Sequence, residues 1–180
     1  MRIIGGRFKR RVLRAPTGPG VRPTTDRVRE ALFNLLGARM AFAGARVLDL
    51  FAGTGALGLE ALSRGAASVT FVEQHPKTLA LARRNAADLG VEAACSFLRA
   101  DAVAVLRRPA GPRYDLVFAD PPYDLEALPD LPDLALPHLA PGGLFVLEHD
   151  ARRDFTGHPA LVLSRAYGRT VLSMFQGSME

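Results

Sequence analysis

Residues 118–124 read FADPPYD, a carboxylate, two prolines and a phenol in direct succession at the end of the apolar run YDLVF. Two uses of that stretch are open. It is either a stiff turn that ends a strand, with Asp120 free to cap a helix, or a clamp that holds something flat and polar. Upstream, LDLFAGTGALGLEAL places Gly53, Gly55 and Gly58 in the spacing G-x-G-x-x-G. Glycine lets backbone approach a ligand closely and supplies positive φ. Between a strand and a helix this spacing points to a nucleotide or nucleoside cofactor, although glycines that merely pack a helix against a sheet also produce it.

Acids recur where strands end: Asp49, Glu73, Asp101 and Asp120. In an open α/β sheet such positions converge on one rim, the rim where ligands bind. A ring of carboxylates suits a ligand that carries amines, hydroxyls or a cation. S-adenosylmethionine carries all three. A dinucleotide carries a pyrophosphate that the ring repels, so charge favours the sulfonium nucleoside over NAD. Glu73, ending VTFVE, can accept both ribose hydroxyls of either; its plain alternative is an acid at a helix start.

The elements that must position these groups alternate from residue 45 onward. ARVLDLF, ASVTFVE, EAACSFLRA, YDLVFAD and GGLFVLEHD read as short buried strands. GALGLEALSRG, PKTLALARRNAADLG and DAVAVLRR read as helices between them, the second opened by Pro76 and closed by Gly90. That alternation predicts a parallel sheet covered on both faces. LVLSRAYGRTVLSMF predicts two antiparallel strands turning near Gly168. Before this core, MRIIGG and RRVLRAP predict a hairpin, and TGPGVRP a loop. TTDRVREALFNLL predicts an amphipathic helix with Val28, Ala31, Leu32, Leu35 and Leu36 on one face and Thr24 or Thr25 as cap. The segment LEALPDLPDLALPHL is expected to be irregular, because prolines interrupt any helix there.

The chain has 180 residues and a formal charge of +5. Residues 1–30 hold nine basic side chains and two acids, so they carry +7 and the remaining 150 residues −2. The basicity is therefore one N-terminal patch, a footprint suited to phosphate backbones. Cys95 is the only cysteine, which rules out an internal disulfide, and it reads as a buried inert thiol. No histidine pair has metal-ligand spacing, and no metal is expected. Without a signal-like N-terminus or a bilayer-length apolar run, the expectation is a cytoplasmic protein with no membrane partner.

Together these residues look familiar. VLDLFAGTGALGLEALSRGA followed by FADPPYD resembles the class I S-adenosyl-L-methionine-dependent methyltransferases that act on exocyclic amino groups. MRIIGGRFKRR and VRPTTDRVREALFNLL are similar to the RsmD-type family, which methylates guanine N2 in bacterial 16S rRNA. The resemblance runs from Met1 to about Phe175. It implies an α/β, Rossmann-like class I methyltransferase fold. The sheet would be seven-stranded and mostly parallel, with its last strand antiparallel and helices on both faces. Residues 1–23 would form a basic N-terminal hairpin and loop extension, and 24–180 the methyltransferase domain.

The resemblance also implies roles. Phe51, Ala52, Gly53, Thr54 and Gly55 would wrap the methionine part of S-adenosyl-L-methionine, with Asp49 orienting the loop or the amino group. Glu73 would hold the ribose diol, Gln74 and His75 the adenine side, and Asp101, with Ala102 beside it, the adenine amine. Asp120 and the Pro121 carbonyl would accept from the two N–H groups of the guanine amine, on a turn stiffened by Pro122, and Tyr123 would stack on the base. Arg7, Lys9, Arg10, Arg11 and Arg27 would hold surrounding phosphates. Arg22, Thr24 and Thr25 would touch the cofactor carboxylate or the incoming nucleotide. Glu148 is either a pocket residue or a plain rim acid. The partner would be 16S rRNA, naked or within a small-subunit assembly particle, and the enzyme a monomer.

The proline-rich 126–137 stretch departs from the regular helix such a family would place there. Rival readings are an amino-methyltransferase acting on adenine N6, cytosine N4 or protein glutamine, an NAD-dependent oxidoreductase, and a non-catalytic RNA-binding domain. The second lacks a Tyr-x-x-x-Lys pair and a substrate domain.

Overall fold

The computed structural model describes residues 1–16 and 25–179. Seven strands form one sheet: β1 (Arg46–Leu50), β2 (Ser68–Val72), β3 (Cys95–Leu98), β4 (Tyr114–Ala119), β5 (Leu139–Asp150), β6 (Leu161–Tyr167) and β7 (Thr170–Gln176). Their spatial order is β3-β2-β1-β4-β5-β7-β6. Strands β1 to β5 pair in parallel, and β7 alone runs antiparallel, between β5 and β6. The chain leaves β1 toward β2 on one side and returns to β4 on the other. The carboxyl ends of β1 and β4 are therefore a switch point, where a crevice opens in sheets of this kind.

Each strand sends alternate side chains to opposite faces. Val47, Phe71, Leu116, Phe118 and Val146 pack against α1 (Asp26–Gly37), α2 (Ala56–Ser63) and α3 (Pro76–Leu89). Leu48, Leu50, Val117, Ala119, Phe145 and Leu147 pack against α4 (Ala102–Leu106) and α5 (Leu131–Ala135). The near-continuous apolar runs of the sequence are thus two interleaved core faces.

Helix α1 starts at Thr25, whose hydroxyl accepts from the Val28 N–H. Its buried face is Val28, Arg29, Leu32, Phe33 and Leu36. The expected face is turned: Ala31 and Leu35 are only half-buried, because Phe33 is drawn in against Phe42 and Phe118, with ring centroids at 5.6 and 5.7 Å. Arg29 is buried because its guanidinium donates to the Arg2 carbonyl at 2.6 Å and to Asp26 at 2.7 Å.

The N-terminal hairpin is short. One antiparallel bridge joins Arg2 to Val12 around a 3-10 turn at Gly6–Phe8. Its tip is clipped to α2: Ile4 and Gly5 N–H groups donate to the fully buried Glu60 at 2.7 and 2.8 Å, and Phe8 N–H donates to Ser63 Oγ at 2.9 Å. Ile3 and Leu13 enter the core beside α1 and α2.

The proline-rich stretch is more regular than expected. It forms a 3-10 turn at Leu128–Asp130, then α5, then a second 3-10 turn at Leu136–His138. Each piece carries its proline in the first turn, where the missing N–H would have no intrahelical acceptor.

Candidate active site

A cavity of about 730 Å³ opens along the carboxyl ends of β1, β2, β4 and β5. Glu73, Gln74, His75, Asp101 and Ala102 line one part of it, with Phe51 beside them. Asp120, Pro121, Pro122 and Tyr123 line another, joined by Glu148 and by Thr25 at the start of α1. The sheet thus brings together all four DPPY residues and most of the expected cofactor contacts.

The glycine loop forms the cavity's shoulder. Phe51 adopts φ 55°, Gly53 φ 56° and Gly55 φ 81°, three left-handed residues that turn the chain from β1 into α2 within one short loop. A Cβ at Gly55 would be tight, 3.1 Å from Phe71 and 3.3 Å from Ala82, and its φ of 81° disfavours any other residue. Gly58 serves packing instead, since its Cβ would fall 2.5 Å from Phe71 and 2.7 Å from Val69. Ala52, Gly53, Thr54 and Gly55 stand behind the lining rather than in it. Ala52 N–H donates to the Val72 carbonyl, and Gly53 N–H to Glu73 Oε2 at 3.1 Å. Glu73 Oε1 accepts from the His75 N–H at 2.8 Å, so one carboxylate ties the loop to the end of β2.

Asp49 is also behind the wall. It is 1% exposed and accepts from the Gly58 N–H at 2.9 Å, holding the first turn of α2. Burial pushes its carboxyl up to about 8; the Gly58 N–H opposes this and the charge of Glu73 adds to it. Asp101 caps α4 by accepting from the Ala104 N–H at 2.7 Å and also lines the cavity. Tyr123 Oη lies 3.3 Å from Thr170 Oγ1, which steadies the ring that closes the DPPY turn.

The basic patch is divided by the fold. Arg2, Arg11, Arg14 and Arg29 are tethers, to Asp26, the Asp88 carbonyl, the Asp88 carboxylate and the Arg2 carbonyl respectively. Arg7 covers the Phe8 ring at 4.5 Å. Among the described residues, Arg7, Lys9, Arg10 and Arg27 are exposed and not so tethered, and neither they nor Arg11 line the cavity. Arg22 and Thr24 lie outside the described residues.

The turn expected near Gly168 is present, but its place in the site was not read from the sequence: all four residues Tyr167–Thr170 line the cavity. Its position follows from β7 running antiparallel: Thr170 pairs with Asp150 at the carboxyl end of β5. The reading also missed Glu60 and Asn85. Asn85 Nδ2 donates to the carbonyls of Thr54 at 3.0 Å and Arg14 at 3.1 Å, while Oδ1 accepts from Arg14 N–H at 2.8 Å. A signal was present for Glu60, an acid inside the apolar helix ALGLEALS that has to find buried partners. Cys95 donates to the Val91 carbonyl, and burial pushes its thiol up to about 11, away from reactivity. Among the described residues, no group of three metal-ligating side chains gathers, and no helix is long and apolar enough to cross a membrane.

A sheet of this order with β7 alone reversed, a glycine loop after β1 and acids at successive strand ends define the class I methyltransferase fold. Comparison with known proteins narrows the class. Residues 1–176 match the family described as conserved hypothetical protein 95. The chain is 36% identical over 185 residues to YlbH of Bacillus subtilis, named as a candidate rRNA methyltransferase, covering 98% of both. It is 45% identical over 123 residues to ribosomal RNA small subunit methyltransferase D of Escherichia coli, covering 68% of this chain and 60% of that one. The solved structure of yhhF from Escherichia coli, described as a candidate methyltransferase, superposes with a TM-score of 0.85 at 34% identity, covering 100% of this chain and 99% of that one. The chain belongs to this family, the RsmD-type class I methyltransferases.

Proposed function

We propose that the protein transfers a methyl group from S-adenosyl-L-methionine to the exocyclic N2 of one guanine in 16S rRNA. The observation that carries this is the shared cavity: Glu73 and Asp101 face the same space as Asp120, Pro121 and Tyr123. The rRNA target follows the names of the relatives YlbH and small subunit methyltransferase D.

The residues present fit the cofactor. The cavity is of nucleoside size, its β2 side is acidic, and its glycine loop is turned by left-handed residues that bring Phe51 to the cavity wall. Glu73 would accept from the ribose hydroxyls, Asp101 from the adenine amine, and Phe51 and the loop behind it would bound the methionine part. When bound, the cofactor supplies a methyl group made electrophilic by its sulfonium.

The chain's own work is to present an amine. Guanine N2 is a weak nucleophile because its lone pair is delocalised into the ring. The Asp120 carboxylate and the Pro121 carbonyl accept from its two N–H groups and favour a more tetrahedral nitrogen. The Pro121–Pro122 pair keeps those acceptors stationary, since proline fixes φ. Tyr123, braced by Thr170, sets the plane of the base. Most of the rate then comes from positioning and preorganised dipoles. The proton that N2 loses passes to Asp120 or to water. The guanine has to stand in a loop or be flipped from its helix to reach this cavity. The enzyme on this reading acts as a monomer in the cytoplasm, on naked rRNA or an assembly particle, with residues 1–23 as its basic extension.

Incubating the purified protein with isotopically labelled cofactor and unmethylated 16S rRNA, naked and assembled with small-subunit proteins, tests the reading. Mass mapping should find one N2-methylguanine. Label on adenine, on cytosine, on protein or nowhere would reject it.

A further inference from the structure

We propose that the β6–β7 turn, Tyr167–Thr170, is a nucleotide-anchoring wall whose Arg169 grips an RNA phosphate beside the base offered to Asp120; this rests on the methyltransferase reading above. The cavity is lined by four carboxylates, of Glu73, Asp101, Asp120 and Glu148. Carboxylates on the wall favour a cationic cofactor and offer a polyanion no partner. An incoming nucleotide nevertheless carries its phosphates to the mouth, so a cation is needed on the substrate side.

Arg169 is the sole arginine or lysine among the described residues that line the cavity. It is exposed and makes no ion pair with any described residue. A guanidinium offers a planar fork that meets phosphate oxygens in pairs. The turn is also tied to the DPPY segment: Thr170 Oγ1, one residue on, lies 3.3 Å from Tyr123 Oη. Among the described residues the N-terminal arginines do not supply this charge, because no residue from 1 to 16 lines the cavity and Arg2, Arg11, Arg14 and Arg29 are held by other partners. The extension holds the RNA at a distance, and Arg169 fixes the nucleotide at the site.

The test compares wild type with Arg169→Ala and Arg169→Lys. Its readouts are binding to transcribed 16S rRNA, naked and reconstituted with small-subunit proteins, across a salt series; KM and kcat for methyl transfer; and cofactor affinity by calorimetry. Arg169→Ala should raise the RNA Kd and KM roughly tenfold or more. It should flatten the dependence of log affinity on log salt by about 0.7–0.9, and leave cofactor affinity unchanged. Arg169→Lys should keep the salt slope while recovering part of the affinity, since the charge stays and the fork is lost. Wild-type RNA affinity and slope in Arg169→Ala would overturn the inference, as would an equal loss of cofactor affinity. If wild type transfers methyl to guanine while Arg169→Ala behaves identically, only this inference fails. A wild type that transfers nothing to either RNA form rejects the functional reading as well.

Discussion

Asp120 stands at the end of a strand, where a backbone turn made rigid by two prolines leaves its carboxylate on the cavity wall. Removing that acceptor should leave the cofactor side untouched, because Glu73 and Asp101 belong to other elements. Asp120→Ala is therefore expected to lower kcat by roughly a hundred- to a thousandfold while cofactor affinity stays at the wild-type level, read by single-turnover transfer and calorimetry. At the same scale, the three glycines of one motif do two jobs. Gly55 takes a left-handed conformation against Phe71, and Gly58 lets α2 approach β2. Their spacing was legible in the sequence. Which one turned and which one packed was decided by the side chains of Phe71 and Val69, which come from a different strand.

Helix α2 carries more than the loop in front of it. Glu60 accepts from Ile4, Gly5 and Arg64 with no exposure to water, and it is the clip that seats the N-terminal hairpin. Glu60→Ala leaves those half-buried donors without their carboxylate, and should cost about 1–3 kcal/mol in urea unfolding. Amide exchange should speed up selectively at Ile4 and Gly5. Helix α3 makes the companion link, since Asn85 joins the Arg14 backbone to the Thr54 carbonyl of the glycine loop. These couplings explain the limits of the pattern reading. The spacing in α1 identified a helix, its cap and three of its buried residues, but its neighbours Phe42 and Phe118 rotated the face toward Phe33. In the 128–138 stretch the prolines marked helix starts, and counting them as breakers hid the order.

For the whole molecule, stability should respond to Asp49. In the unfolded chain its carboxyl titrates near its ordinary value of 3.8; in the fold, burial raises it to about 8. Between those values the folded state holds a proton that the unfolded chain has released. This group's contribution to stability therefore falls as pH rises from about 4 to about 8, and the loss is complete above that range. The melting temperature of the wild type should drop more between about pH 5 and about pH 8 than that of Asp49→Asn, whose side-chain oxygen still accepts from Gly58. Parallel profiles for the two proteins would show that Asp49 is not the source.

The alternation of strands and helices, the glycine loop, the DPPY turn and the acids at strand ends are local features, written in periodicity and residue type, and the sequence by itself determined them. Placing Tyr167–Thr170 opposite Tyr123 and dividing the basic patch into tethers and exposed cations required knowing which strand reverses and which carbonyls and carboxylates come near each arginine. The burial of Glu60, Asn85 and Arg29 was of the same kind. Such contacts join residues tens of positions apart, and the tertiary structure decided them, because a polar group's partner in the interior is set by packing rather than by its neighbours in the chain.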